Sequence, residues 1–93
     1  MSDVKTNPVD KNAWSHLNDA LMATFEFRSF EEAMQFMHQC APHMTELDHH
    51  PEWSNVYNKV TIRLSTHDAG NKVTEKDYIL AEAISAEAAR IRG

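Results

Sequence analysis

A single cysteine, Cys40, rules out an internal disulfide, so the fold does not depend on an oxidising compartment. Two glycines and three prolines are too few for a linker-rich or low-complexity chain, and no internal repeat is visible. No run of apolar residues approaches the ~20 that a membrane-spanning helix needs. The stretch from Met1 to Asn12 is polar and lacks the apolar segment of a secretory signal. Basic residues are also scarce: nine Lys and Arg stand against fourteen Asp and Glu, dispersed along the chain, for a net charge of −5. That balance argues against a direct nucleic-acid partner, because backbone phosphates demand a basic patch. These absences together lead us to expect a cytoplasmic protein without a membrane partner.

What remains is one domain. A chain of 93 residues buries only roughly 60–65% of the surface its unfolded form exposes, so its core is thin and self-association is an easy way to bury more. Residues 1–12 read as a polar N-terminal arm with a turn at Asn7-Pro8, and residues 13–93 as the domain. Ala13 to Leu17 suits a short strand and Asn18-Asp19 a turn. Ala23 to Arg28 alternates, with Phe25 and Phe27 on one face, and the two segments suggest a hairpin. Ser29 and Glu32 fit a capping box. Behind them Phe30, Ala33, Met37, Cys40, Met44 and Leu47 recur at spacings of three and four, the pattern of an amphipathic helix. Pro42 removes one backbone donor and predicts a kink near His38–Ala41. Asn58 to Ser65 is the clearest strand, with Val60, Ile62 and Leu64 inward. A loop around Gly70 follows. Thr74 then caps a second helix, with Asp77 at its third position and Leu80, Ile84, Ala88 and Ile91 as its apolar stripe. The order strand-strand-helix-strand-helix predicts an α+β fold, a small antiparallel sheet with helices packed on one face.

Six histidines are the one excess. His49 and His50 stand where the first helix must end, because Pro51 disfavours helical geometry at His50. An imidazole titrates near 6.5 when unperturbed and gives or takes a proton near neutrality. Two adjacent imidazoles disfavour double protonation, which favours one acid beside one base. Asp48 is placed to orient one ring, and His67 ends the third strand beside Thr66 and Asp68. Each feature also has a plainer explanation. A His-His pair at a helix end is more often a solvated cap, and a lone His67 a surface residue. Trp53 and Tyr57 suit a core or an interface, and His16 and His38 suit an exposed surface. Cys40, His43, His49, His50 and His67 could supply zinc ligands, but no paired ligand spacing is present, so no metal is expected. Cys40 lies on the apolar stripe, which speaks against a nucleophile.

The run Leu47-Asp48-His49-His50-Pro51-Glu52-Trp53, then Asn55-Val56-Tyr57-Asn58-Lys59-Val60, Leu64-Ser65-Thr66-His67 and a later Asp77 closely resembles the pterin-4a-carbinolamine dehydratase family. The resemblance extends over roughly Trp14 to Ala88. It implies elimination of water from 4a-hydroxytetrahydrobiopterin to a quinonoid dihydropterin, in tetrahydrobiopterin recycling, by histidine acid–base catalysis. By resemblance His49, His50 and His67 are catalytic. Asp48, His49, His50, Pro51, Trp53, Ser65, Thr66, His67 and Asp68 contact the pterin. The resemblance also implies a homo-oligomer, a dimer or tetramer joined through sheet edges. The rival is a non-catalytic assembly or transcriptional cofactor of the same fold; nothing in these residues supports a transcription-factor partner, and the retained histidines favour the enzyme. Two departures stand out. The family's ionisable residue four before the first His is Thr45 here, and the helix that commonly precedes the first strand is absent or reduced to the polar arm.

Overall fold

In the computed structural model, which describes residues 14–70 and 72–93, Asn18 and Asp19 adopt φ of 54° and 62°. Two successive left-handed residues match the twist of paired strands, and Asn and Asp tolerate that region better than any residue but glycine. They join β1 (Trp14–Leu17) to β2 (Ala20–Glu26), with Leu17 opposite Ala20 and Trp14 opposite Ala23. The second strand therefore begins earlier than the alternation from Ala23 indicates. The expected arm over residues 1–12 lies outside the described residues.

The described residues form a four-stranded antiparallel sheet in the order β1-β2-β4-β3, where β3 is Glu52–Val56 and β4 is Lys59–Leu64. The expected order of elements lacked β3. Its outward residues Glu52, Ser54 and Val56 are exposed and its inward pair, Trp53 and Asn55, is half-buried. An edge strand so little buried carries no strong apolar alternation for a sequence pattern to detect. Tyr57 and Asn58 close the β3–β4 hairpin, Tyr57 at φ 56°. The Asn55 side chain braces that turn by donating to the carbonyls of Tyr57 (3.1 Å) and Lys59 (2.9 Å).

Helices α1 (Phe30–Leu47) and α2 (Glu75–Arg92) cover one face of the sheet. Leu21, Ala23, Phe25, Val60, Ile62 and Leu64 point toward them and are buried. The opposite face carries Thr24, Thr61, Arg63 and Glu52, linked by a Thr24–Thr61 hydroxyl pair at 3.2 Å and an Arg63–Glu52 ion pair at 3.3 Å. Phe36 of α1 sits between Phe25 and Phe27, with ring centroids 5.3 and 4.8 Å away. Each such buried side chain contributes about 1.5–3 kcal/mol. The buried stripe of α1 is Ala33, Phe36, Cys40 and Met44, flanked by the partly buried Met37 and Leu47. Phe30, expected in that stripe, is 42% exposed. It lies in the first turn, beyond the reach of the sheet. Ser29 accepts from the Glu32 backbone at 3.1 Å as expected, whereas the Glu32 carboxylate reaches the backbone and guanidinium of Arg28. The helix runs unbroken through Pro42.

The two helices are antiparallel and share a buried charge. Glu87 of α2 accepts from His43 Nε2 at 2.8 Å and from Arg90 at 2.7 Å. Cys40, fully buried beside this carboxylate, has its thiol pushed up to about 12, first by burial and then by Glu87, which leaves it inert as a nucleophile. Burial works against the Glu87 carboxylate too, but the His43 and Arg90 contacts outweigh it and hold its pKa below the ordinary 4.5. A carboxyl whose folded pKa is depressed adds stability that is full above its unfolded value and is lost as pH falls through the folded one. Glu87→Gln should therefore melt below the parent near neutrality, with the gap closing under about pH 4.5. Thermal unfolding across that range checks this.

Candidate active site

The exit from α1 is set by backbone geometry. Asp48 takes a left-handed conformation, φ 51° and ψ 47°, immediately after Leu47. The Asp48 N–H bonds the Thr45 carbonyl at 3.1 Å, and the His49 N–H bonds the Met44 carbonyl at 3.0 Å. These two bonds are the Schellman pattern, which satisfies the last carbonyls of a helix and fixes the direction in which the chain leaves. Aspartate is tolerated at the left-handed position that glycine usually fills. The His49 backbone is thus held by the helix it has just left.

Directed inward, the His49 side chain meets α2. His49 is 8% exposed and Asp77 is completely buried. The Asp77 Oδ1 lies 2.5 Å from His49 Nε2. Its Oδ2 accepts from the Thr66 hydroxyl and from the Thr74 backbone N–H, each at 2.8 Å. The latter bond is the return half of the capping box expected at the start of α2. One carboxylate therefore joins the end of α1, the end of β4 and the start of α2. Thr66 is anchored further by its N–H to the Lys72 carbonyl at 2.8 Å. Because a carboxylate can only accept, His49 presents Nε2–H to Asp77, and the partner of one ring nitrogen decides which nitrogen carries the proton. Nδ1 is then the nitrogen that the carboxylate does not engage, which suits it to take a proton from a bound molecule.

The remaining expected residues lie along the chain on either side of this junction, from Asp48 to Trp53 and from Ser65 to Asp68. His50 is exposed and Pro51 half-buried. Trp53 lies opposite Ile62 and packs at the margin of the core. Ser65 and Thr66 are half-buried at the end of β4, and His67, exposed, opens a short 3-10 turn over His67–Ala69 that includes Asp68 and ends on Gly70 at φ 77°. Asp48 is exposed. His50 and His67 are exposed, whereas the His49 ring is drawn into the interior by Asp77. Thr74 was legible as a helix cap only, and Asp77 as a cap and as the last residue of the run that carries the resemblance, without a link to His49. A single aspartate can cap a helix with one oxygen and hold a distant imidazole with the other, and nothing in its local sequence marks the second task. Among the described residues no group of three or more His, Cys, Asp or Glu is clustered as a metal site. A separate groove of about 690 Å³, on the outer side of α1 and lined by His38, Ala41, Pro42, His43, Thr45 and Glu46, includes none of the proposed contacts. Thr45 is exposed and lines this groove.

Comparison with known proteins identifies relatives of this chain. The family model described as Pterin 4 alpha carbinolamine dehydratase matches residues 2–87. A protein of Opitutus terrae named as a pterin-4-alpha-carbinolamine dehydratase is 50% identical over 86% of this chain and 82% of its own. A namesake from Sulfolobus acidocaldarius is 39% identical over 90% of this chain and 91% of its own. The crystal structure of a transcriptional coactivator/pterin dehydratase from Brucella melitensis superposes with a TM-score of 0.78 at 40% identity, covering 83% of each chain. No helix among the described residues is long and apolar enough to cross a membrane. The fold and these likenesses together establish that the chain belongs to the pterin-4a-carbinolamine dehydratase family of hydro-lyases.

Proposed function

We propose that the protein dehydrates 4a-hydroxytetrahydrobiopterin to the quinonoid dihydropterin, in the cytoplasm, as a step of tetrahydrobiopterin recycling. The observation that carries this reading is the buried Asp77–His49 pair, placed where the segments bearing His50 and His67 meet. Hydroxide leaves C4a poorly until it is protonated, so an acid must deliver a proton to that oxygen. A base must remove the proton on N5 as the C4a–N5 double bond forms and water departs. His49, with Nε2–H on Asp77, serves as the base through Nδ1. His50 and His67, both exposed, supply the acid and bind the substrate. Positioned acid–base catalysis of this kind contributes roughly 10²–10⁴ in rate, and no cofactor enters the step. Asp48, Pro51, Trp53, Ser65, Thr66 and Asp68 form the surrounding walls.

A homo-oligomer joined through the sheet edge completes the reading. Its support is the edge strand β3 with Val56 and Tyr57, 72% and 67% exposed at its tip. The α1 stripe gives no such support, since its residues are buried within the chain. The decisive experiment is dehydration of 4a-hydroxytetrahydropterin by purified protein, followed in the ultraviolet and corrected for the buffer reaction. We expect a rate proportional to enzyme concentration; a rate equal to buffer would overturn the assignment.

A further inference from the structure

We infer that Thr74 is a positioning residue for this chemistry: its hydroxyl, donated to Thr66, sets the direction of a hydrogen-bond chain that ends on the His49 imidazole. The inference rests on the reaction proposed above. Thr66 Oγ1 lies 2.6 Å from Thr74 Oγ1 and 2.8 Å from Asp77 Oδ2. A hydroxyl carries one proton, and a carboxylate offers none. The Thr66 proton is therefore committed to Asp77, and the Thr74 proton must fill the Thr66 lone pair. The order of donation is Thr74 to Thr66 to Asp77, with His49 donating to the same carboxylate from the other side. Asp77 is fully buried, and in such surroundings neighbouring hydrogen bonds strengthen one another. Without the Thr74 hydroxyl, a lone pair of Thr66 Oγ1 goes unfilled and the Thr66–Asp77 bond loses the donor that polarises it. The carboxylate that orients His49 is then held less firmly from behind. Thr74 does not belong to the walls proposed to contact the pterin; its side chain also accepts from the Asp77 backbone as the cap of α2, so its influence reaches the reaction through Asp77.

Two substitutions separate that role from a structural one. Thr74→Val removes the hydroxyl at nearly constant shape. The backbone N–H to Asp77 survives, and the extended φ of −128° and ψ of −179° suit a β-branched residue. Thr74→Ser keeps the hydroxyl. We expect Thr74→Val to lower kcat about five- to ten-fold, the worth of one lost hydrogen bond, with little change in KM and a displaced pH profile. Thr74→Ser should stay within about two-fold of the parent. Long-range proton–nitrogen NMR of the His49 ring gives a readout independent of turnover. The parent should show the Nε2–H tautomer and Thr74→Val a shifted or mixed signal. If Thr74→Val fails to fold, Thr74→Ala is read on the same signals. Parental kcat, pH profile and ring signals in the hydroxyl-free variant would overturn the inference, as would a Ser variant as impaired as the Val one. Should the parent itself lack dehydratase activity, the assigned reaction fails while the ring signals still decide the hydrogen-bond chain.

Discussion

Asp77→Asn should lower kcat/KM by about 10²–10⁴, the range that loss of an orienting carboxylate behind a catalytic histidine produces in other enzymes. The substitution preserves shape and removes only charge and acceptor capacity. In the parent, three donors converge on Asp77: His49 Nε2–H, the Thr66 hydroxyl and the Thr74 N–H. An amide offers one oxygen and one NH₂. If its nitrogen faces His49, the ring must adopt the opposite tautomer and present a proton where a base is required. If its nitrogen faces Thr66 and Thr74, the helix start is left with a donor against a donor. Stability falls in the second orientation, whereas in the first the amide is matched and only the base is lost. A buried polar group left unmatched costs about 1–3 kcal/mol, and each kcal/mol lowers Tm by roughly 4–8 °C in a domain of this size. Steady-state kinetics beside a thermal melt measure both effects. Parental turnover in a folded Asn variant would remove His49 from the role of base.

Alanine substitutions at the three histidines should separate into two kinds. His50→Ala and His67→Ala alter exposed side chains and should reduce dehydration by about 10–10³-fold with Tm nearly unchanged. His49→Ala should do more. Besides removing the base, it leaves one oxygen of the completely buried Asp77 without its imidazole partner, so this variant alone should lose both rate and stability. Elimination needs a proton delivered and a proton removed, and disabling either half stalls the same step. The double change at His49 and His50 should therefore cost less than the product of the single changes. The pH–rate profile should be bell-shaped, with limbs belonging to the cluster rather than to one residue. Three alanine variants that all keep parental turnover above the buffer rate would end the enzymatic reading and favour a non-catalytic assembly role.

Much of the molecule was legible in its local sequence, because local rules govern it. The Asn18-Asp19 turn, the Ser29 cap, the Pro51 constraint on His50 and the alternation of Val60, Ile62 and Leu64 each follow from residues a few positions apart. The run around His49-His50-Pro51 carried the family. The stripe of α1 was read with Phe30 and without Phe36, since a three-and-four spacing admits both and only the position of Phe25 and Phe27 selects one. Strand β3 escaped because its inward face is only half-buried. What tertiary structure alone decided is which ends meet. His49 and Asp77 lie 28 positions apart, and His43 and Glu87 lie 44 apart. Antiparallel packing of α1 on α2 closes both gaps. The sequence by itself determined which residues could cap, turn, bury or titrate, since those are properties of a side chain and its neighbours along the chain. That Asp77 holds a buried imidazole as well as a helix start depended on the packing of distant elements, which excludes water and leaves the carboxylate to be satisfied by whatever donors the fold brings against it.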